Sequence, residues 1–180
     1  MSADYNLFMN EPVHLIITGG TIDATWDGRQ DTAVVAEHSI IPDYIEKLSL
    51  YAQVKFTEVC MKDSRALTQA DLAKILQTIE DATENKIIIT HGTYTMPDTA
   101  RYIKANLKRQ RVVVVLTGSM TPLKGFDMSD ASFNLGYAFS QAQSLEPGAY
   151  LAMNGRTFSA EEVAKSMAEG KFYSVFADKQ

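Results

Sequence analysis

IIITHGTYTMPDTARYI, Ile87 to Ile103, is the stretch whose reading decides the fold. Ile87-Ile88-Ile89 is apolar at every position rather than every second one, as expected of a strand covered on both faces. His91-Gly92-Thr93-Tyr94-Thr95 then breaks the run with polar groups. Thr95, Pro97 and Asp98 follow in the order of a helix start, with a hydroxyl before the first turn and proline and a carboxylate inside it. The expected helix runs to about Lys108. A buried strand feeding a helix through a short polar turn is half of a βαβ unit.

Working outward, Val13–Ile17, Val112–Leu116 and Tyr150–Met153 are equally continuous and read as further buried strands. Gln53–Val59 alternates instead, Val54 and Phe56 against Lys55 and Thr57, which puts it nearer an edge. Thr68-x-x-Asp71 has the form of a capping box, and Leu72, Ile75, Leu76 and Ile79 repeat at helical spacing behind it. Asp127 or Ser129 is the expected cap of a helix with the stripe Ala131, Leu135, Ala138, Phe139 and Ala142. A shorter helical pattern is expected after Ser159, through Val163 and Met167. The Asp27-Gly28 turn, followed by Thr32, Val34 and Val35, predicts a β-hairpin after the first strand, and Lys171–Gln180 reads as a short strand with a frayed end. Alternating strands and helices of this kind predict a three-layer α/β fold, a doubly wound and mostly parallel sheet, in a single domain over residues 1–180.

A chain of 180 residues, 46% hydrophobic and 22% charged, can bury one real core. The net charge of −5 argues against a nucleic-acid partner or an anionic membrane surface. The single cysteine, Cys60, rules out an internal disulfide, fits a reducing compartment and reads as a packed thiol. Met1–Glu11 lacks the basic and apolar regions of a secretory signal, and no apolar run is long enough to span a bilayer, so a cytoplasmic location is expected.

In a doubly wound sheet ligands bind beyond the carboxyl ends of the strands. The segments there are Thr18-Gly19-Gly20-Thr21, Lys62-Asp63-Ser64-Arg65, His91-Gly92-Thr93-Tyr94-Thr95, Thr117-Gly118-Ser119-Met120 and Asn154-Gly155-Arg156. Four of the five carry hydroxyls, and their glycines let backbone amides approach a ligand. They describe a small polar pocket rich in donors and poor in acids. The chain has no GxGxxG, no GxxxxGK[ST] and no HExxH, so neither a cofactor nor a metal is expected. His14, His38 and His91 read as structural.

TGGTI (Thr18–Ile22) and THGTYTMPDTA (Thr90–Ala100) resemble the two threonine signatures of bacterial-type L-asparaginases. KDSRALTQADL, VVLTGSMTP, DASFNLGYA and AMNGR continue the resemblance in family order, over the family's N-terminal domain only, so the chain looks most like the short, single-domain members. The resemblance implies Thr21 as the nucleophile, Thr93 as the second catalytic threonine and Lys165 as the catalytic lysine. It further implies Ser64, with Asp63 beside it, as the holder of the substrate's α-carboxylate, and the main-chain carbonyl of Ser119 as a contact to the leaving amide. The chemistry suits those types, because a threonine hydroxyl needs a base and a lysine desolvated in a pocket can become one. Amides of Gly20, Gly92 and Thr93 can stabilise the oxyanion.

Two residues depart from that pattern. Tyr94 stands where the family has the aspartate that pairs with the substrate's α-ammonium, and Trp26 where its flexible loop has a tyrosine. Hydrolysis of L-asparagine to L-aspartate and ammonia is the implied activity. Two alternatives stay open: an amidase for a small amide lacking an α-ammonium, and a catalytically weakened amino-acid- or amide-binding protein. Tyr94 either offers a hydroxyl or packs on Trp26 as an aromatic lid. The helix bearing Ala131, Phe133, Tyr137 and Phe139 suggests a homodimer or homotetramer.

Overall fold

A computed structural model describes residues 11–176. The stretch read for a secretory signal, up to Asn10, and the last residues of the C-terminal segment, Ala177–Gln180, lie outside the described residues. Five parallel strands, β1 (Val13–Gly19), β4 (Val54–Lys62), β5 (Lys86–Thr90), β6 (Val113–Thr117) and β7 (Gly148–Met153), form the main sheet. An antiparallel sixth, β8 (Arg156–Ser159), closes one edge, and the order is β4-β1-β5-β6-β7-β8. The alternating strand is indeed the outer one. Four helices flank the sheet: α1 (Ile41–Glu46), α2 (Gln69–Asp81), α3 (Met96–Asn106) and α4 (Ala131–Ser144).

The unbroken apolar runs have their cause in the two layers of helices. Ile16, Ile87, Ile89 and Val114 face Ile75 and Ile79 of α2 and Ala100 and Ile103 of α3. Leu15, Ile17, Ile88 and Val115 face the other way, towards Ile41 and Ile45 of α1 and Leu135, Ala138 and Ala142 of α4. Every position of β5 is therefore buried, at about 1.5–3 kcal/mol for each large aliphatic side chain removed from water. Among the described residues no helix is long and apolar enough to cross a membrane.

The local signals were realised unevenly. Thr68 and Asp71 form a reciprocal capping box at α2, and the predicted hairpin is β2 (Ala24–Asp27) with β3 (Thr32–Val35). At α3, however, Thr95 makes no side-chain cap; its hydroxyl donates to the Ser64 carbonyl at 2.9 Å, and Asp98 accepts from Arg101 instead. A neighbouring backbone carbonyl from another segment outcompetes the local cap. At α4, Ser129 rather than Asp127 reaches the helix start, accepting from Ala131 N–H. The segment after Ser159 is not helical: β9 (Val163–Ser166) pairs antiparallel with β10 (Lys171–Ser174), a small sheet of its own. Glu162 supplies the reason, since its carboxylate accepts from Ser159 N–H at the end of β8 and from Ser174 Oγ–H at the end of β10, tying the open end of the hairpin, and Gly170 turns the chain at φ 63°. Lys165 thus sits on a strand, not on a helix face.

Candidate active site

β4 lies outside β1 while β5 and the later strands follow on its other side, so the crossover directions part between β1 and β5. That is where an open α/β sheet leaves a crevice at its carboxyl edge. Gly20 leaves β1 with φ 84°, and a Cβ there would stand 2.4 Å from the Gly92 backbone. A Cβ on Gly92 would stand 2.8 Å from Cβ and Oγ of Ser64. Three segments distant in sequence are thus in backbone contact, and side chains at either glycine would push them apart. Thr21, Ser64 and Thr93 are the hydroxyl residues on that contact.

Thr21 opens a short 3-10 turn and is half-buried; among the described residues its hydroxyl has no hydrogen-bond partner. Thr93 is 7% exposed, and its Oγ accepts from Lys165 Nζ at 2.7 Å while donating weakly to Met120 Sδ at 3.7 Å. Burial lowers the lysine's pKa from its ordinary 10.5, and its ammonium lies 5.8 Å from the centre of the Phe172 ring. Arg101 of α3 anchors the strand that carries Lys165, donating to the Val163 carbonyl at 2.8 Å. Ser64 accepts from Thr95 N–H at 3.4 Å, and Ser119 is fully buried with its hydroxyl donated to the Thr121 carbonyl at 2.6 Å.

Asp63 and Tyr94 are arranged differently from the rest. Asp63 caps the turn Ser64–Ala66, and its carboxylate receives Nε and Nη2 of Arg65, each at 2.9 Å. This guanidinium holds the Asp63 carboxyl below its usual range. The same guanidinium lies 5.6 Å from the centre of the half-exposed Tyr94 ring. The aromatic stack among the described residues is Phe133 with Tyr137, so Tyr94 packs on Arg65 rather than on Trp26, correcting the lid arrangement. Trp26, on β2, is 57% exposed.

Four contributors went unnoticed in the sequence. Asp130 accepts from the backbone of Met120 and Thr121, and the fully buried Asn134 donates to the Gly118 carbonyl and accepts from Asn154 N–H. Asp130 fixes the loop after β6, and Asn134 holds that loop against the one after β7. DASFN carried their signal, within a stretch that also bears the resemblance, but gave neither residue a role. Met120 and Arg65 were seen only as neighbours of serines. His91 is core, as expected: Nδ1–H donates to the Gly92 carbonyl, Nε2 accepts from Thr99, and complete burial pushes its pKa down to about 4. Cys60 is packed, and burial raises its pKa. A cavity of about 330 Å³ between α2 and α3, lined by Leu76, Glu80 and Tyr102 among others, lies apart from these groups.

These features define a three-layer α/β domain with a hydroxyl–amine pair at the crevice between its first and third parallel strands. Residues 12–174 match the family model described as asparaginase, N-terminal, and the chain belongs to the asparaginase family. It is 30% identical over 168 residues to an L-asparaginase of Bacillus licheniformis, covering 87% of this chain and 50% of that protein. To a glutaminase-asparaginase of Acinetobacter glutaminasificans it is 26% identical over 166 residues, covering 86% and 50%. The solved thermostable L-asparaginase of Thermococcus kodakarensis matches with a TM-score of 0.77 at 26% identity, over 91% of this chain and 51% of that one. The chain spans about half the length of the curated relatives it matches.

Proposed function

We propose that the protein is an amidohydrolase of the L-asparaginase kind. It converts the amide of L-asparagine, or of a close analogue, to a carboxylate and ammonia through a threonine acyl-enzyme. The observation that carries this reading is the 2.7 Å contact between Lys165 Nζ and Thr93 Oγ at the carboxyl edge of the sheet. A base within hydrogen-bond reach of a hydroxyl is the geometric requirement for activating it.

In the proposed reaction Thr21 Oγ bonds to the amide carbon, and its proton passes through the Thr93–Lys165 pair to the leaving nitrogen. The C–N bond breaks and ammonia departs. Water then attacks the ester, its oxygen staying on the new carboxylate and a proton returning to Thr21. Amides of Gly20, Gly92 and Thr93 supply the oxyanion donors, each worth about 3 kcal/mol in comparable sites. Ser64, Asp63 and the Ser119 carbonyl line the substrate side. The test is ammonia release from a panel of small amides by the wild type, Thr21→Ala and Lys165→Met. Turnover lost in both variants with folding intact supports the reading. Saturable binding with no ammonia from any amide would make the chain a binding protein instead.

A second reading, an amidase for substrates without an α-ammonium, is favoured by Tyr94, a phenol on the rim where a carboxylate would grip a cation. We also read the protein as a cytoplasmic homodimer or homotetramer. Phe133, 61% exposed and stacked on Tyr137 of α4, supports the assembly. Light scattering at micromolar concentration tests it, and a clean monomer would overturn it.

A further inference from the structure

Arg65 is the cation on the rim of the crevice that the proposed chemistry leaves unused. Its Nε and Nη2 are fixed on Asp63, so one edge of the guanidinium is spent and its plane is held. Nη1 has no partner among the described residues, and two-thirds of the side chain is exposed. A guanidinium locked along one edge offers the other as a preorganised donor for a carboxylate. It lies over the ring of Tyr94, the residue after Thr93, and follows Ser64, so it borders the hydroxyls of the crevice.

Four acids around the same rim are engaged. Asp63 is neutralised by Arg65, and Asp71 holds Lys62 at 2.8 Å. Asp98 holds Arg101, and Asp130 accepts backbone amides of the loop after β6. Against these stand Arg65, with a free edge, and Lys165. The N-terminus of α3, which begins at Met96, adds further positive potential. A substrate ammonium would find these four carboxylates already engaged, whereas a substrate carboxylate would find a held donor edge.

Resting on the amidohydrolase reading above, we propose that Arg65 sets the substrate class: primary amides that carry a carboxylate and no α-ammonium, of which succinamate is the simplest. Succinamate and water give succinate and ammonia by the same two steps, with no other reactant. Arg65 is a specificity residue, binding the far carboxylate without taking part in bond making.

The experiment compares kcat/KM for succinamate, L-asparagine and uncharged butanamide in the wild type, Arg65→Gln and Arg65→Lys, with calorimetric binding of succinate and L-aspartate alongside. The wild type should prefer succinamate over both other amides. Arg65→Gln should cut succinamate turnover by about 10- to 100-fold, chiefly through KM, and leave butanamide within about twofold. Because the substitution frees Asp63, asparagine should lose little or gain. Arg65→Lys, which keeps charge but not the fork, should fall between. Equal losses on all three amides, or a wild type that prefers asparagine, would overturn the assignment while leaving the amidohydrolase reading intact. If no amide is turned over, that reading fails and binding decides this one. Succinate bound more tightly than aspartate, with the difference lost in Arg65→Gln, upholds it, and equal or absent binding sinks it.

Discussion

The two halves of the crevice are built on opposite plans. On the side of Thr21 and Thr93, position is set by backbone: Gly20 against Gly92, and Gly92 against Ser64, at separations no side chain tolerates. On the side of Asp63, Arg65 and Tyr94, position is set by exposed side chains that hold one another through an ion pair and a ring contact. The first plan resists change, because any added atom displaces a strand end. The second allows a residue to be exchanged without disturbing the sheet. On the function proposed above, the difference separates a backbone-fixed side that would carry the chemistry from a side-chain-built side that would set the substrate. Lys165 stands between the two, carried on a two-stranded hairpin outside the main sheet but anchored to α3 by Arg101.

The largest expected effect lies on the backbone-built side. Thr21→Ala should fold normally and lose nearly all turnover. A variant keeping more than about a tenth of wild-type activity, a loss under about 1.4 kcal/mol, would remove Thr21 from the nucleophile's role. Lys165→Met should come next, costing about 10²- to 10⁴-fold. Its pH dependence has a definite sign. Burial lowers the lysine's pKa, and only the neutral amine accepts a proton. The rate should therefore rise with pH through a value below the ordinary 10.5, and that limb should vanish in Lys165→Met. A limb that persists in the variant would assign it to another group.

Tyr94→Asp probes the side-chain-built half and should have a middling effect. A second carboxylate beside Arg65 leaves one net negative charge for an ammonium, so preference should move towards asparagine and away from desamino amides by about tenfold. An unchanged preference, or turnover abolished with folding intact, would show that Tyr94 does not set the charge of the rim.

The smallest effect should come from Asp23, directly after the Thr21-Ile22 pair. It is 2% exposed, one oxygen accepting from Ser39 and Ile40 and the other unpartnered among the described residues, and burial raises its pKa above the ordinary 3.8. Below 3.8 the folded and unfolded chains both hold the proton, and as pH rises the unfolded chain gives it up first. Stability should thus fall through the window above 3.8 and level off once the folded group has ionised. Asp23→Asn keeps an acceptor for Ser39 and Ile40 and should abolish that fall, changing stability by about 1 kcal/mol or less. Thermal melts of both proteins across that window check the sign, and parallel curves would mean that Asp23 is not the titrating group.

The same contrast accounts for what could be read from sequence. The sheet was legible because burial on both faces leaves Ile87-Ile88-Ile89 and its counterparts without polar interruption. Thr21 and Thr93 were picked out by the resemblance carried in TGGTI and THGTYTMPDTA, and the structure brings their two segments together through Gly20 and Gly92. Thr95 was misjudged as a cap because the competing acceptor, the Ser64 carbonyl, lies 31 residues away. The hairpin around Lys165 was misread as helix because Glu162 binds across to Ser174, a polar pairing that leaves no mark on the spacing of apolar residues. Arg65 on Tyr94 is a contact of the same long-range kind. Side-chain arrangements between distant segments leave little periodic trace.

The central claim, that Thr21 carries the acyl group while Thr93 and Lys165 move the proton, is tested most directly by trapping the intermediate. Wild type mixed with succinamate, quenched in acid and digested, should yield a peptide acylated at Thr21. The adduct should be absent in Thr21→Ala and accumulate more slowly in Lys165→Met. An acyl group found on Thr93 instead, or turnover with no adduct at any time point, would contradict the account.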